Sequence, residues 1–436
     1  MKALPLILLF ASAVPVSAAG DVAKSTAPVA VVKSTAPAAA KTAAAPAAPR
    51  PAPEPSGVLA GIDVLEADGF QALKGKRIGL ITNHTGLDRK GRSTVRVLAE
   101  AEGVQLKALF SPEHGFKGIV EDGAVSTDTY RLPDGKTIPV YSLYGATQAP
   151  SAAMLGGLDA LVFDIQDIGA RFYTYPTTMA MAMESAAARD IDFIVLDRPD
   201  PINGESVAGT VLDDGVRHFT AYLPVAVRHG MTVGELARLH NMAGRVGARL
   251  QVVPLRGWTR AMWFDKTGLR WVKPSPNMPD LEAAGLYPGI GCFEASNVSV
   301  GRGTPIPFRW VGAPWMDDKG VLKRLKAANL KGYAFETESF KPSKSVYQGK
   351  RCRGIRIRVL DRDAADPLRL FAHLLCALRD LHPMEFGIRP EEMVRMTGTE
   401  RFLRLYKAGA APKQLTDLFE ADASRFKAWR TPFLLY

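Results

Sequence analysis

Short apolar segments alternate with longer amphipathic segments along most of the chain. The apolar segments are typical of buried strands and lie at 77–83, 105–110, 138–141, 158–164, 193–196 and 250–253. Between them, apolar residues recur at helical spacing over 93–102, 177–189 and 233–241. Continuous apolar strands separated by helices are typical of a parallel sheet that is covered on both faces. We therefore predict an α/β fold with a doubly wound parallel sheet over residues 58–262.

The pattern changes in the last part of the chain. Residues 352–359 alternate between apolar and charged positions, as in a strand that is buried on one face. Asp366 and Pro367 then begin an amphipathic segment with leucines on one face, and Pro383 ends it. We predict a second, smaller α/β domain over residues 263–436, packed on the first.

The first residues are typical of an export signal. Met1 and Lys2 precede an apolar run that ends in small residues, which predicts a cleaved signal peptide over residues 1–19. Residues 20–57 are mostly Ala, Pro, Lys, Ser and Thr and predict a disordered linker. No later apolar run is long enough for a membrane span. We therefore expect a periplasmic or secreted protein.

The chain is basic, with 55 Lys and Arg against 44 Asp and Glu, and a formal net charge of +11. Such a charge suits anionic partners, including cell-wall polymers. The basic residues are scattered among acidic ones and form no basic run with interleaved aromatics, so we expect no nucleic-acid partner. The chain has three cysteines, which allow at most one disulfide.

Polar side chains follow the predicted strands at the points where the strands end. Because the carboxyl ends of parallel strands meet at one edge of a sheet, these side chains are expected to share a site. The candidates after the first, second and fourth strands are Asn83, His84, Glu113, His114, Asp164, Asp167, Arg171, Tyr173 and Tyr175.

A glycine-rich segment in the second half supplies further candidates. Residues 287–304 contain several glycines, which let the backbone approach a ligand closely. The polar residues of this segment are Glu294, Asn297 and Arg302.

The chemistry of the site can be narrowed by elimination. The chain has no G-x-S-x-G nucleophile elbow, no H-E-x-x-H and no closely spaced histidine pair, so we expect no metal. Acid–base chemistry by carboxylates in a cleft with Tyr, Arg and Asn remains, and this is the chemistry of glycoside hydrolysis. The candidate catalytic residues are Glu113, His114, Glu294 and Asp167.

Five motifs in order resemble one bacterial family, the NamZ-like exo-β-N-acetylmuramidases. They are residues 79–86, 110–115, 163–175, 196–199 and 294–304. The resemblance implies a Rossmann-like N-terminal domain, a smaller C-terminal domain and an active site between them. It also implies release of N-acetylmuramic acid from the non-reducing end of peptidoglycan fragments, with no cofactor.

The resemblance also assigns residues. Glu113 matches the proposed catalytic glutamate of the family, and its cleft motifs include His114, Asp164, Asp167, Arg171, Tyr173 and Tyr175. The lactyl carboxylate of muramic acid would suit a bidentate pair with Arg171 or Arg302. The candidates for the second catalytic carboxylate are Asp164, Asp167 and Glu294. We favour Glu294, because it belongs to the other predicted domain and would face Glu113 across the cleft.

Two other classes of protein stay open from the sequence. One is an exported metal-dependent amidase or deacetylase that acts on the cell wall, with His114, Glu113 and Asp164 holding the ion. The other is a non-catalytic protein that binds wall saccharides in the same cleft.

Overall fold

The structure is a computed structural model that describes residues 57–118 and 128–436. These residues belong to one compact unit. The predicted signal peptide and the predicted linker up to residue 56 lie outside the described residues.

The described strands are short and, in the first half of the chain, mostly buried. They are β1 (Arg77–Thr82), β2 (Gln105–Ser111), β3 (Asp128–Arg131), β4 (Thr137–Ser142), β5 (Ala160–Asp164), β6 (Asp192–Leu196), β7 (Ala208–Val211), β8 (Ala226–Arg228), β9 (Leu250–Val253), β10 (Trp310–Ala313), β11 (Tyr333–Phe340) and β12 (Cys352–Val359).

Helices separate most of these strands in the first half, and four helices follow the last strand in the second. They are α1 (Gly61–Ala67), α2 (Thr94–Glu100), α3 (Tyr175–Ala187), α4 (Val233–Ala243), α5 (Leu281–Ile290), α6 (Asp318–Ala327), α7 (Pro367–Leu381), α8 (Pro390–Thr397), α9 (Glu400–Lys407) and α10 (Pro412–Trp429). Helix α2 begins where the sequence predicts, because the Ser93 hydroxyl accepts a hydrogen bond from the Arg96 N–H at 3.2 Å.

The large sheet has seven strands in the order β3-β4-β2-β1-β5-β6-β9. All neighbouring pairs in it are parallel except β3 and β4. The chain moves outward from β1 through β2 to β4, and then crosses to β5 and continues to β9. This reversal confirms the predicted doubly wound α/β fold, and it places a crevice at the carboxyl ends of β1 and β5.

Both faces of the large sheet are covered by helices. Leu161 and Phe163 of β5 join one apolar cluster with residues of α3 and α4, while Ala160 and Val162 join another with residues of α1 and α2. Burial on both faces explains why these strands are continuously apolar in the sequence. The first cluster continues into α7 and α10, so one core connects the two halves of the chain.

Two features differ from a purely parallel arrangement. Strand β3 pairs antiparallel with β4 at the edge of the sheet, and none of its residues is buried, so it has no apolar pattern that would predict a strand. In the second half, β10, β12 and β11 form a separate antiparallel sheet. The predicted half-buried strand at 352–359 is its central strand.

The three cysteines are buried and free. No helix among the described residues is long and apolar enough to cross a membrane.

Candidate active site

The carboxyl ends of three central strands bring most of the predicted residues to one edge. Strand β1 leads into Asn83 and His84, its neighbour β2 leads into Glu113 and His114, and β5 on the other side leads into residues 164–175. The loop after β5 then begins α3. This edge is the crevice that the strand order creates.

Glu113 is tied to the start of α3. The Thr174 hydroxyl, at the N-cap of that helix, donates a hydrogen bond of 2.5 Å to Glu113 Oε2. The contact fixes the orientation of the carboxyl group and leaves its other oxygen available to a substrate.

The turn that carries Glu113 has an uncommon backbone. His114 has φ of 69°, in the left-handed region, and Gly115 follows with φ of 77°. The Gly115 N–H bonds the Pro112 carbonyl at 3.1 Å, which closes the turn. A left-handed backbone at a residue other than glycine costs energy and is concentrated at functional sites. The turn therefore holds Glu113 and His114 at the edge of the sheet.

Tyrosine rings form one wall of the site. Tyr173 packs edge-on against Tyr175, with 4.9 Å between centroids, and also against Tyr287 at 6.0 Å. Tyr287 in turn packs against Phe308 at 4.7 Å. Because Tyr287 and Phe308 come from the second half of the chain, this row of rings connects the two halves.

Glu294 forms an ion pair at the far end of the aromatic wall. Its Oε1 accepts a hydrogen bond of 2.6 Å from Arg302 Nε, and the Arg302 guanidinium lies 5.2 Å from the centroid of the Phe308 ring. Burial, and after it the charges of Glu294 and Glu113, hold the pKa of Tyr287 well above its usual value. The hydroxyl of Tyr287 thus remains a donor within electrostatic reach of both glutamates.

Asp164 is a structural residue, which corrects the expectation that it binds substrate. It is completely buried, and both of its oxygens accept hydrogen bonds from Arg198, at 2.5 and 2.9 Å. The Thr94 hydroxyl, at the first residue of α2, also donates to it. With these bonds made, its carboxylate joins β5, α2 and the loop after β6.

Arg171 also differs from its predicted role. It is buried, and its guanidinium donates to the carbonyls of Thr210, Val225 and Met396 at 2.7 to 2.9 Å. Burial lowers the pKa of Arg171 to about 10. The side chain ties α8 to the β7–β8 hairpin and does not present its fork to a carboxylate in the cleft.

Asn297 holds a neighbouring loop. Its amide donates to the Glu385 carbonyl at 2.6 Å and accepts from the Gly387 N–H at 2.9 Å. These bonds use its amide on the backbone, so the geometry gives Asn297 a structural role instead of the predicted contact with substrate.

Asp167 lies in a buried cluster. It is 4% exposed, and its Oδ2 accepts from the Gly169 N–H at 3.0 Å and lies 3.3 Å from His229 Nε2. His229 Nδ1 accepts from the Met231 N–H at 3.1 Å, while His229 Nε2 and Asp167 Oδ1 are buried without a hydrogen-bond partner among the described residues. The bond to Gly169 ties Asp167 to its own loop, whereas Glu294 lies half-buried beside the aromatic wall.

Asn83 and His84 support the site from β1. The side-chain oxygen Oδ1 of Asn83 accepts hydrogen bonds from both the N–H and the hydroxyl of Thr85. The side-chain amide of Asn83 lies beside the Tyr175 hydroxyl. His84 Nε2 lies 2.7 Å from the Lys273 carbonyl, and burial lowers the pKa of the ring. A neutral His84 therefore donates from Nε2 to that carbonyl.

Three residues of the site are absent from the sequence-based candidates. Thr174 lies within the motif at 163–175 but has no ionisable group to single it out. Tyr287 is the first residue of the glycine-rich segment, and only its packing against Tyr173 brings it to the site. Arg198 directly follows Asp197 at the end of a predicted strand, so its position alone would have made it a candidate.

The arrangement of side chains does not support the alternative of a metal-dependent amidase or deacetylase. Across residues 57–118 and 128–436, no three His, Cys, Asp or Glu side chains are grouped as ligands for a metal ion. Asp164, one of the three suggested ligands, has both oxygens in the bonds to Arg198.

The fold and the site together define an α/β protein with a cleft of glutamates and tyrosines at the switch point of a doubly wound sheet. Two family models, for the N-terminal and the C-terminal part of exo-β-N-acetylmuramidase NamZ, match residues 78–282 and 285–436. The chain belongs to the NamZ family, which confirms the resemblance of its motifs, and it is a glycosidase.

Individual relatives agree with the family models. The peptidoglycan β-N-acetylmuramidase NamZ of Bacillus subtilis (strain 168) is 39% identical over 381 residues, which cover 87% of this chain and 91% of the relative. Two crystal structures of DUF1343 family proteins from Bacteroides fragilis NCTC 9343 are also similar. Their TM-scores are 0.80 and 0.69, at 34% and 31% identity, and each match covers 87% of this chain and 99% of the other.

The buried pair of Asp164 and Arg198 predicts a large effect on stability. Replacing Arg198→Met leaves the Asp164 charge buried without its partner, which we expect to lower the free energy of unfolding by about 3–5 kcal/mol. Lys413→Met is the matched control, because Lys413 pairs with Asp417 on the surface, with side chains 82% and 52% exposed. Chemical denaturation should show little change for the control. Equal, small effects of both substitutions would contradict the structural role of the pair.

Proposed function

We propose that the protein hydrolyses peptidoglycan fragments and releases N-acetylmuramic acid from their non-reducing ends. Membership of the NamZ family and the similarity to a peptidoglycan β-N-acetylmuramidase support this substrate class. The observation that carries the proposal is Glu113, which the Thr174 hydroxyl orients at the carboxyl edge of the sheet.

Glu113 acts as the general acid in this proposal. The hydrogen bond from Thr174 fixes Oε2, so Oε1 is the oxygen that would carry the proton to the glycosidic oxygen as the bond breaks. The tyrosine wall borders the sugar site, and the protonated Tyr287 hydroxyl would donate a hydrogen bond to the sugar.

Glu294 is the second carboxylate in this proposal. The bond from Arg302 holds one oxygen of Glu294 and fixes the orientation of its carboxyl group beside the aromatic wall. An ionised carboxylate opposite the acid either attacks the anomeric carbon or activates a water molecule.

We also propose that the reaction takes place outside the cytoplasm. The signal-like pattern of residues 1–19 supports this, and so does the location of peptidoglycan. The mass of the protein recovered from the cell envelope checks it, because an intact N-terminus would contradict cleavage.

The substrate class is tested directly with a disaccharide that has N-acetylmuramic acid at its non-reducing end. Mass spectrometry should detect free N-acetylmuramic acid and the released second sugar. The same disaccharide with its two sugars in reverse order is the control, and we expect it to remain intact. An unchanged muramic-acid-terminated substrate, with the protein shown to be folded, would overturn the proposed function.

The proposed role of Glu294 predicts effects of different size on kcat for three variants. Glu294→Gln should lower kcat by roughly 10²–10⁴, because the neutral amide can neither attack nor act as a base. Arg302→Lys should have a smaller effect, since it keeps the charge but loses the planar donor. Glu100→Gln, on the exposed end of α2, is the control and should leave kcat unchanged. Near-normal turnover by Glu294→Gln would assign the second role elsewhere.

A further inference from the structure

A cavity of about 540 Å³ opens beside His84, next to the candidate active site. Its walls are Lys117 and Gly118 on one side and the segment 270–276 on the other. Three of its lining residues, Lys117, Arg270 and Lys273, are cationic, and none of the lining residues that the structure describes is acidic. We call this cavity the basic pocket.

The cations of the basic pocket have no acidic partner in the part of the chain that the structure describes. Within the described ranges, no Asp or Glu side chain forms an ion pair with Lys117, Arg270 or Lys273, whereas most other arginines of the second half have such partners. Three cations around one opening, with no acidic group among its described lining residues, favour the approach of an anion.

The walls of the pocket are fixed before any ligand binds. His84 Nε2 holds the Lys273 carbonyl at 2.7 Å, and the Tyr175 hydroxyl holds the Pro274 carbonyl at 2.6 Å. On the opposite side the His84 ring packs so closely on Gly118 that a Cβ there would lie 1.9 Å from the ring, which only glycine avoids. Trp271 packs edge-on against Phe264 at 5.2 Å and presents an aromatic surface in the pocket.

The basic pocket adjoins the candidate active site. His84 is close enough to His114 for the two rings to influence each other's charge, and His114 directly follows Glu113. Ser275, in the pocket lining, lies beside the hydroxyl of Tyr173 in the aromatic wall. A sugar held against that wall can therefore extend a substituent into the pocket.

We propose that the basic pocket binds a carboxylate on the lactyl arm of the terminal sugar. The inference rests on the proposed function and adds the group that distinguishes muramic acid from glucosamine. The carboxylate comes either from the lactyl group itself or from a peptide attached to it. The cations attract the carboxylate, and Trp271 packs against the adjoining apolar part of the arm.

The two arginines of the candidate site that could otherwise bind this carboxylate already have other partners. Arg171 is buried against three carbonyls, and Arg302 is paired with Glu294. The pocket therefore supplies the carboxylate recognition that the sequence assigned to these two arginines.

Binding of single sugars tests the pocket without any turnover. The probes are N-acetylmuramic acid, its lactyl amide, and N-acetylmuramic acid with an alanyl-glutamate dipeptide on the lactyl arm. Calorimetry compares the wild type with the triple variant Lys117→Gln, Arg270→Gln and Lys273→Gln. For at least one charged probe, we expect affinity to fall about tenfold in the variant, with little change for the amide. A loss for N-acetylmuramic acid identifies the lactyl carboxylate, and a loss for the dipeptide probe alone identifies the peptide.

The control carries the same change in charge at another place. Lys319, Lys323 and Lys326 are exposed on α6, and their replacement by Gln should leave all three affinities unchanged. Equal losses for the charged probes and the amide, or no loss for any probe, would overturn the role of the pocket. Because no probe has a glycosidic bond, the binding result does not depend on hydrolysis. If the protein cleaves no disaccharide but shows the charge-dependent affinity, only the proposed function is contradicted.

Discussion

A buried ion pair between Asp164 and Arg198 holds together the edge of the sheet on which the site is built. Both oxygens of the carboxylate are bonded to the guanidinium, and the Thr94 hydroxyl adds a third bond. The pair therefore joins the end of β5, the loop after β6 and the start of α2. Separating a buried pair leaves an uncompensated charge, so these three elements are expected to move together or not at all. The loop that follows Asp164 leads to Thr174, and through it to Glu113.

The second half of the chain completes the cleft through aromatic packing. Tyr287 is the central residue, because it contacts Tyr173 from the sheet edge and Phe308, which follows the glycine-rich segment. The ion pair of Glu294 and Arg302 is held at the end of this row by the contact of Arg302 with Phe308. A shared apolar core also runs through both halves. The two glutamates are thus held by continuous packing, which suits chemistry that depends on their separation.

The fold could be predicted because buried strands and amphipathic helices leave periodic apolar patterns. Strand Leu250–Val253 and helix Pro367–Leu381 have the bounds that their patterns indicate. Strand β3 could not be predicted, since an exposed edge strand needs no apolar residues. The polar residues after the predicted strands indicated where the site lies but not where each side chain points. Arg171, for example, donates to the carbonyls of Thr210 and Met396, which are far away in sequence. The bond between Glu113 and Thr174 likewise joins residues 61 positions apart.

The central claim is that Glu113 donates the proton to the leaving group, and dependence on the leaving group tests it most directly. The nitrophenolate group of a nitrophenyl N-acetylmuramide leaves with little help from an acid, whereas a sugar leaving group needs the proton. We expect Glu113→Gln to lower kcat/KM by roughly 10²–10⁴ for the disaccharide and far less for the nitrophenyl substrate. Equal losses for both substrates, or near-normal cleavage of the disaccharide, would contradict the assignment of Glu113 as the acid.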